Sequence, residues 1–134
     1  MWTCPRCKRS FSKTNQSHSC VIYPLEKHLE GREGGTALFD ELVKRMRGAG
    51  LSFNIDSVPC CIHLVTRSAF AAVWVLKDKI KIDFRLGHEM KSRRIGKTFK
   101  MSANRYLYYL EINNKEEIDR ELISWIKESH RLVK

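Results

Sequence analysis

Hydrophobic side chains recur at three- and four-residue intervals between Thr36 and Arg47. These apolar positions are Leu38, Phe39, Leu42, Val43 and Met46. The spacing places them on one stripe of an α-helix, with charged side chains on the opposite face. Thr36 can cap the N-terminus of this helix and Gly48 can end it. We therefore predict an amphipathic helix over residues 36–47.

The hydrophobic period changes to two in the middle of the chain. It is clearest in Lys79–Leu86, where Ile80, Ile82, Phe84 and Leu86 alternate with polar residues. Alternation places the apolar side chains on one face of a strand and leaves a mostly basic opposite face. Further strands are predicted at 53–56, 61–66, 69–76 and 105–112, with a brief pairing at 98–102.

A second helix is predicted after Asn114, which can cap it with Glu117 as the reciprocal partner. Its buried stripe comprises Ile118, Leu122, Trp125, Ile126 and Ser129. The element order is then helix, four to five strands, helix. This order indicates an α+β domain in which helices cover one face of an antiparallel sheet and the other face is exposed to water.

The N-terminal segment has the ligand spacing of a zinc knuckle. Cys4-Pro5-Arg6-Cys7 is followed, after ten intervening residues, by His18-Ser19-Cys20. Two thiolates from one tight turn and a second pair from later in the chain would complete a tetrahedron, so we predict one structural zinc ion. The predicted ligands are Cys4, Cys7, His18 and Cys20. His28 is the alternative to His18, and unmetallated thiols, a redox pair or a disulfide are alternatives to the metal.

The domain organisation follows from these patterns. We predict a zinc knuckle at residues 1–21, a linker at 22–35 and the α+β domain at 36–134. The linker contains Pro24 and three glycines and can hold one short turn of helix. Five cysteines leave an odd thiol under any disulfide scheme, which favours a reducing, cytoplasmic location. The sequence contains no apolar run of eighteen residues, so we expect no membrane partner.

Positive charge is concentrated in two stretches. The chain has 25 Lys and Arg residues against 15 acidic ones. Residues 77–105 carry a net charge of +7, and residues 1–20 carry +4, whereas 106–134 are close to neutral. Such patches attract polyanions, and each phosphate contact releases counterions.

We therefore predict non-catalytic binding of nucleic acid, RNA in preference to DNA, or of a ribonucleoprotein. The predicted contacts are Arg6, Lys8, Arg9, Lys13, Lys79, Lys81, Arg85, Lys91, Arg93, Arg94, Lys97 and Lys100. Tyr106, Tyr108 and Tyr109 could stack on unpaired bases, although a tyrosine-rich strand more often packs its rings. The alternative function is a zinc-dependent adaptor that docks on an acidic protein, and the basic face could also serve solubility alone.

Several short motifs resemble a bacterial and archaeal domain-of-unknown-function family, number 5655. They are His28-Leu29-Glu30-Gly31, Leu38-Phe39-Asp40-Glu41-Leu42, Phe70-Ala71-Ala72-Val73, Lys77-Asp78, and Ile118-Asp119-Arg120-Glu121-Leu122 with Trp125. The resemblance covers residues 26–133, and the N-terminal cysteines are similar to a zinc segment that often precedes the domain. It implies no established activity. Members attached to nuclease-like modules suggest nucleic acid by association. The chain departs from the family at Cys60-Cys61, where a basic residue is common.

No catalytic constellation is evident outside the N-terminal cysteines. Cys61 and His63 would lie on the same face of a strand, and a nucleophilic cysteine needs such a base. A half-buried strand pair explains them equally well and is the commoner case. His88-Glu89 in a basic loop could polarise a phosphate but lacks the clustered carboxylates of metal-dependent nucleases. A nuclease-associated enzyme is therefore the third hypothesis.

Overall fold

The computed structural model of the protein describes residues 2–5, 10–11, 13–15 and 23–133. The strands are β1 (Trp2–Thr3), β2 (Ser10–Phe11), β3 (Asn54–Ser57), β4 (Ile62–Val65), β5 (Ala69–Val75), β6 (Ile80–Leu86), β7 (Lys97–Ser102) and β8 (Arg105–Ile112). The α-helices are α1 (Leu25–Leu29), α2 (Glu33–Gly48) and α3 (Arg120–Val133), and a 3-10 turn spans Lys115–Glu117. The α+β class is confirmed.

The described strands form two antiparallel sheets. β1 and β2 pair with each other, and the other six form one sheet in the order β3-β4-β5-β6-β8-β7. The sheet has more strands than the four to five predicted, because β7 forms a full edge strand. All six β7 residues are exposed, so its backbone pairing with β8, and not an apolar face, makes it a strand.

Helices α2 and α3 pack against one face of the six-stranded sheet. The predicted alternation of β6 is confirmed, since Ile80, Ile82, Phe84 and Leu86 are fully buried. They contact the apolar stripes of both helices, including Leu42 and Met46 of α2 and Leu122 and Ile126 of α3. One continuous core therefore lies between the helices and this face of the sheet.

Helix α2 begins at Glu33, three residues before the predicted start, and Thr36 does not cap it. The reason is a close approach of the helix to the β5–β6 turn. The Gly35 N–H donates to the Lys77 carbonyl at 3.1 Å, and a Cβ on Gly35 would lie 1.9 Å from the Leu76 carbonyl oxygen. Glycines that suggested a linker in the sequence thus form the first turn of a docked helix. The segment before it contains α1.

The C-terminal cap is displaced from its predicted position. Asn114 accepts a hydrogen bond from the Glu117 N–H at 3.2 Å, but it caps the 3-10 turn and not an α-helix. Asp119 instead accepts from the Leu122 N–H at 3.0 Å, and α3 begins at Arg120. Within α3, the fully buried Ser129 donates its hydroxyl to the Phe70 carbonyl at 2.6 Å. The same hydroxyl accepts from the Arg85 N–H at 2.8 Å and so links β5 to β6 where their ladder ends.

Candidate functional site

Side chains opposite the core occupy what we call the far face of the six-stranded sheet. Strand alternation and register place there Asp56, His63, Ala72, Trp74, Lys81, Asp83, Arg85, Lys97, Phe99, Leu107, Tyr109 and Glu111. Neither α2 nor α3 packs on this face, because their apolar stripes contact the buried side chains of the opposite one. The side chains of this face that a partner could reach are its exposed members, Lys81, Lys97, Phe99 and Glu111.

Aromatic rings and lysines lie together near the middle of the far face. The rings of Trp74 and Tyr109 are 6.0 Å apart, centroid to centroid. The Lys81 ammonium lies 6.0 Å from the Trp74 centroid and 5.9 Å from the Tyr109 centroid, within cation–π range. Phe99, on the neighbouring edge strand, is 57% exposed. Trp74 and Tyr109 are half-buried. Rings interleaved with cations are what unpaired bases and their phosphates require.

A cleft of about 660 Å³ opens beside Tyr109. Its lining residues are Lys81, Arg93, Arg94, Gly96, Lys97, Tyr109, Leu110, Glu111 and Glu117. Lys81, Arg93 and Lys97 form no ion pair within the described part of the chain. The cleft acids are engaged elsewhere, since Glu111 pairs with Lys79 and Glu117 accepts from the Asn113 N–H. Three cations in the cleft therefore remain available for an anion.

The other predicted cations are distributed differently. Lys79 is held 2.8 Å from Glu111, and Arg85 is half-buried on the far face. Lys91 is exposed in the loop, and Lys100 projects from the helix side of β7, 5.9 Å from the Tyr106 ring centroid. Lys13 is exposed. Arg6, Lys8 and Arg9 lie outside the described residues.

Arg94 is a structural residue and not a free cation. Its guanidinium donates to Asp119 at 2.8 Å, to Glu121 at 3.1 Å and to the Glu117 carbonyl. It also lies 5.6 Å from the Trp125 ring centroid. These contacts fasten the 87–96 loop to the start of α3. The contact of Arg94 with nucleic acid stays a prediction, and in the structure the charge of this guanidinium is paired with two carboxylates.

The three tyrosines of β8 do not act together. Tyr108 is fully buried on the core side, where its hydroxyl accepts from the Met90 N–H at 2.7 Å and donates to the His88 carbonyl at 3.0 Å. Tyr106 also points to the core side and stacks on Tyr108. Tyr109 alone among them lies on the far face. Stacking on bases is thus limited to Tyr109 and to the two other rings of that face.

Asp83 lies near the centre of the far face and is only 8% exposed. Burial raises the pKa of its carboxyl from 3.8 to about 6. Two contacts lower this pKa: the hydrogen bond that the carboxylate accepts from the Ala72 N–H at 2.8 Å, and the positive charge of Arg85. The carboxylate is therefore mostly ionised at neutral pH despite its burial. Sequence alternation indicated a mostly basic face, and the acid at its centre reduces that charge.

Cys60, Cys61 and His63 meet at the edge of the far face nearest β3. Their ligand atoms all lie within 4.8 Å of one another, and the two sulfurs are 3.1 Å apart. The group could hold a metal ion. Burial, the contact with Cys60 and the charge of Asp83 together raise the pKa of the Cys61 thiol to about 12. A metal-free Cys61 is thus protonated at neutral pH and is a poor nucleophile.

The predicted N-terminal zinc ligands fall mostly outside the described residues. Cys4 is buried, whereas Cys7, His18 and Cys20 are not described, so the tetrad stays a prediction. His28, the alternative ligand, is buried, and its Nε2 donates to the Val58 carbonyl at 2.8 Å. That nitrogen is consequently not free to bind a metal.

The histidine of the predicted His88-Glu89 pair contacts helix α3. Its Nε2 lies 2.7 Å from a carboxylate oxygen of Glu128, with both side chains exposed. His88 therefore ties the loop to the helix, in the same way as Arg94 does nearby.

The family model described as Domain of unknown function (DUF5655) matches residues 25–133. The chain belongs to this family. The match confirms the resemblance seen in the sequence, and it places α1, the six-stranded sheet, α2 and α3 of this chain within the DUF5655 domain. No curated protein and no solved structure matches the chain.

Sequence reasoning missed two features of the DUF5655 site. The cleft beside Tyr109 forms only when the 87–96 loop folds against β8, and a basic loop gives no indication of where it folds. The proximity of Cys60 to His63 depends on a tight turn, although alternation had already placed Cys61 and His63 on one face.

No helix among the described residues is long and apolar enough to cross a membrane.

Proposed function

We propose that this DUF5655 protein binds single-stranded nucleic acid, RNA in preference to DNA, on the far face of its sheet. The observation that supports the proposal is the cleft that Lys81, Arg93 and Lys97 line together with the Tyr109 ring, where none of the three cations forms an ion pair with a described residue. Cations at this spacing suit a phosphate backbone, and the ring suits an unstacked base. RNA is favoured because proteins usually recognise RNA through unpaired bases.

The form of the sheet supports single strands over duplexes. The far face carries three rings: Trp74 on β5, Tyr109 on β8 and Phe99 on β7. The two long helices of the described chain, α2 and α3, lie on the opposite side of the sheet and so cannot enter a major groove from this face. A splayed strand could place successive bases on the rings and its phosphates near the lysines.

The N-terminal segment completes the proposal. Cys4, Cys7, His18 and Cys20 would hold one structural zinc ion and present Arg6, Lys8, Arg9 and Lys13 as an additional phosphate contact. A closed site of this composition supplies folding energy and not chemistry. The protein would act in the cytoplasm, where its thiols stay reduced.

Fluorescence anisotropy with labelled single-stranded RNA, single-stranded DNA and duplex DNA across a salt series tests the proposal. We expect the tightest binding to RNA. Changing Lys81, Arg93 and Lys97 together to Glu should reduce the slope of log affinity against log salt by about 2, because each single-strand phosphate contact contributes about 0.7. Phe99→Ala should weaken binding without changing that slope, since stacking releases no counterions.

The matched control reverses Lys115, Arg120 and Lys127, three exposed cations away from the cleft. Equal losses from both triple variants would show that bulk charge, and not the cleft, attracts the polymer. Absence of binding at moderate salt would refute the proposal. It would direct attention to an acidic protein partner, which was the alternative from sequence.

A further inference from the structure

We propose that Cys60, Cys61 and His63, none of which is among the four predicted N-terminal ligands, form a binding site for a thiophilic divalent cation such as zinc. Both cysteines belong to the hairpin between β3 and β4, and His63 is the second residue of β4. The ligand set of two thiolates and one imidazole favours zinc over the hard cations magnesium and calcium.

The hairpin turn holds the two sulfurs in place. Val58 and Cys61 exchange two backbone hydrogen bonds, of 3.1 and 3.2 Å, which leaves Pro59 and Cys60 at the tip. Pro59 is the second residue of this four-residue turn, a position where proline is favoured because its fixed φ suits the turn. The Val58 carbonyl also accepts from His28 of α1 at 2.8 Å. The turn is therefore anchored from both the sheet and the helix.

Strand geometry brings the imidazole to the sulfurs. Cys61 and His63 are two residues apart, and so their side chains project from the same face. Around a tetrahedral zinc ion, the ligand atoms are about 3.5–3.8 Å apart when Zn–S is about 2.3 Å and Zn–N is about 2.0 Å. The observed separations, from 3.1 Å between the sulfurs up to a maximum of 4.8 Å, bracket this range. Small side-chain rotations would thus suffice to bind the ion.

Among the described residues, three side chains can bind the ion. We infer that an exogenous group takes the fourth vertex of the tetrahedron, which is the pattern of accessible zinc sites. Cys60 is exposed and lines a cavity of about 240 Å³ together with Tyr23, His28, Arg32, Pro59, Trp74, Val75 and Leu76. Because Trp74 also belongs to the far face, a bound ion would lie beside the proposed nucleic-acid surface, where the two thiolates would neutralise its charge.

Cobalt(II) titration of the full chain, under a phosphine reductant, tests this site. Thiolate-bound cobalt gives charge-transfer absorption, and the N-terminal cysteines contribute equally in every variant. We expect Cys60→Ser and His63→Asn each to bind one cobalt ion fewer than the unaltered protein, or to bind it at least tenfold more weakly. The matched control is His88→Asn, which removes an exposed histidine that contacts Glu128. This variant should bind cobalt like the unaltered protein.

Alkylation provides a second measurement that does not depend on cobalt. Zinc should slow the labelling of Cys60 by iodoacetamide in the unaltered protein but not in His63→Asn. If His63→Asn disturbs the fold, the exposed Cys60→Ser variant decides the question alone. The proposed site would be refuted if Cys60→Ser bound as many cobalt ions as the unaltered protein and with the same affinity. It would also be refuted if iodoacetamide labelled Cys60 at the same rate with and without zinc.

Discussion

Asp83→Asn should stabilise the protein at neutral pH, although it removes a hydrogen-bonded carboxylate from a strand. Burial raises the pKa of Asp83 from 3.8 to about 6. The shift is about 2 pKa units, and at about 1.4 kcal/mol per unit it corresponds to roughly 3 kcal/mol of destabilisation when the carboxylate is ionised. An amide is neutral at every pH, and its oxygen can still accept from the Ala72 N–H.

The sign of the pH dependence follows from proton linkage. Because the folded pKa lies above the unfolded value, the folded state binds the proton more tightly, and stability falls as the pH rises from about 4 to above 6. The asparagine variant lacks this loss. Its advantage over the unaltered protein should therefore grow by more than about 2 kcal/mol between about pH 4 and pH 7.5.

Urea unfolding at both pH values, followed by tryptophan fluorescence, measures this difference. At neutral pH the melting temperature should also rise, by roughly 3–6 °C per kcal/mol for a chain of this size. Asp40→Asn, an exposed carboxylate on α2, controls for the loss of one negative charge. An equal effect of Asp83→Asn at both pH values, or destabilisation at neutral pH, would refute the assigned burial.

Two further variants test how the helices dock. Gly35→Ala should prevent α2 from packing against the β5–β6 turn and lower the free energy of unfolding, measured in urea, by more than about 3 kcal/mol. The control is Gly48→Ala, where the added carbon has nothing within 4 Å. This control should be neutral or stabilising. Similar effects of the two would contradict the close approach. Ser129→Ala should lower the free energy of unfolding by about 2–3 kcal/mol, because it leaves the Phe70 carbonyl and the Arg85 N–H without a partner. Thermal melts compare it with Ser124→Ala, a change at an exposed serine of the same helix. An equally small loss of stability in both variants would exclude the bridging role of Ser129.

The periodic segments could be predicted from sequence because their side chains must satisfy one geometry over several residues. Alternation in β6 identified both its buried face and its neighbours' orientation. The stripes of α2 and α3 likewise identified the residues that contact the sheet. The ends of the helices were harder to predict. Gly34-Gly35 is typical of a flexible segment in sequence, and only the structure shows that the β5–β6 turn leaves no room for a Cβ on Gly35.

Residues of the candidate sites depended on contacts between distant parts of the chain. Arg94 appeared equivalent to its basic neighbours, yet it pairs with acids about 25 residues away, and Arg93 beside it remains available. Asp83 appeared to be one polar position of an alternating strand, and its burial is seen only in the folded chain.

The sequence by itself determined the fold class, the buried faces and the family, because hydrophobic periodicity and short motifs are local properties. It also determined that the chain carries excess positive charge. Tertiary structure decided which charges are paired, which ring faces solvent and whether Cys60 approaches His63. These properties depend on distances between residues far apart in the chain, and those distances are fixed only when the strands take their order and the loops close over the sheet.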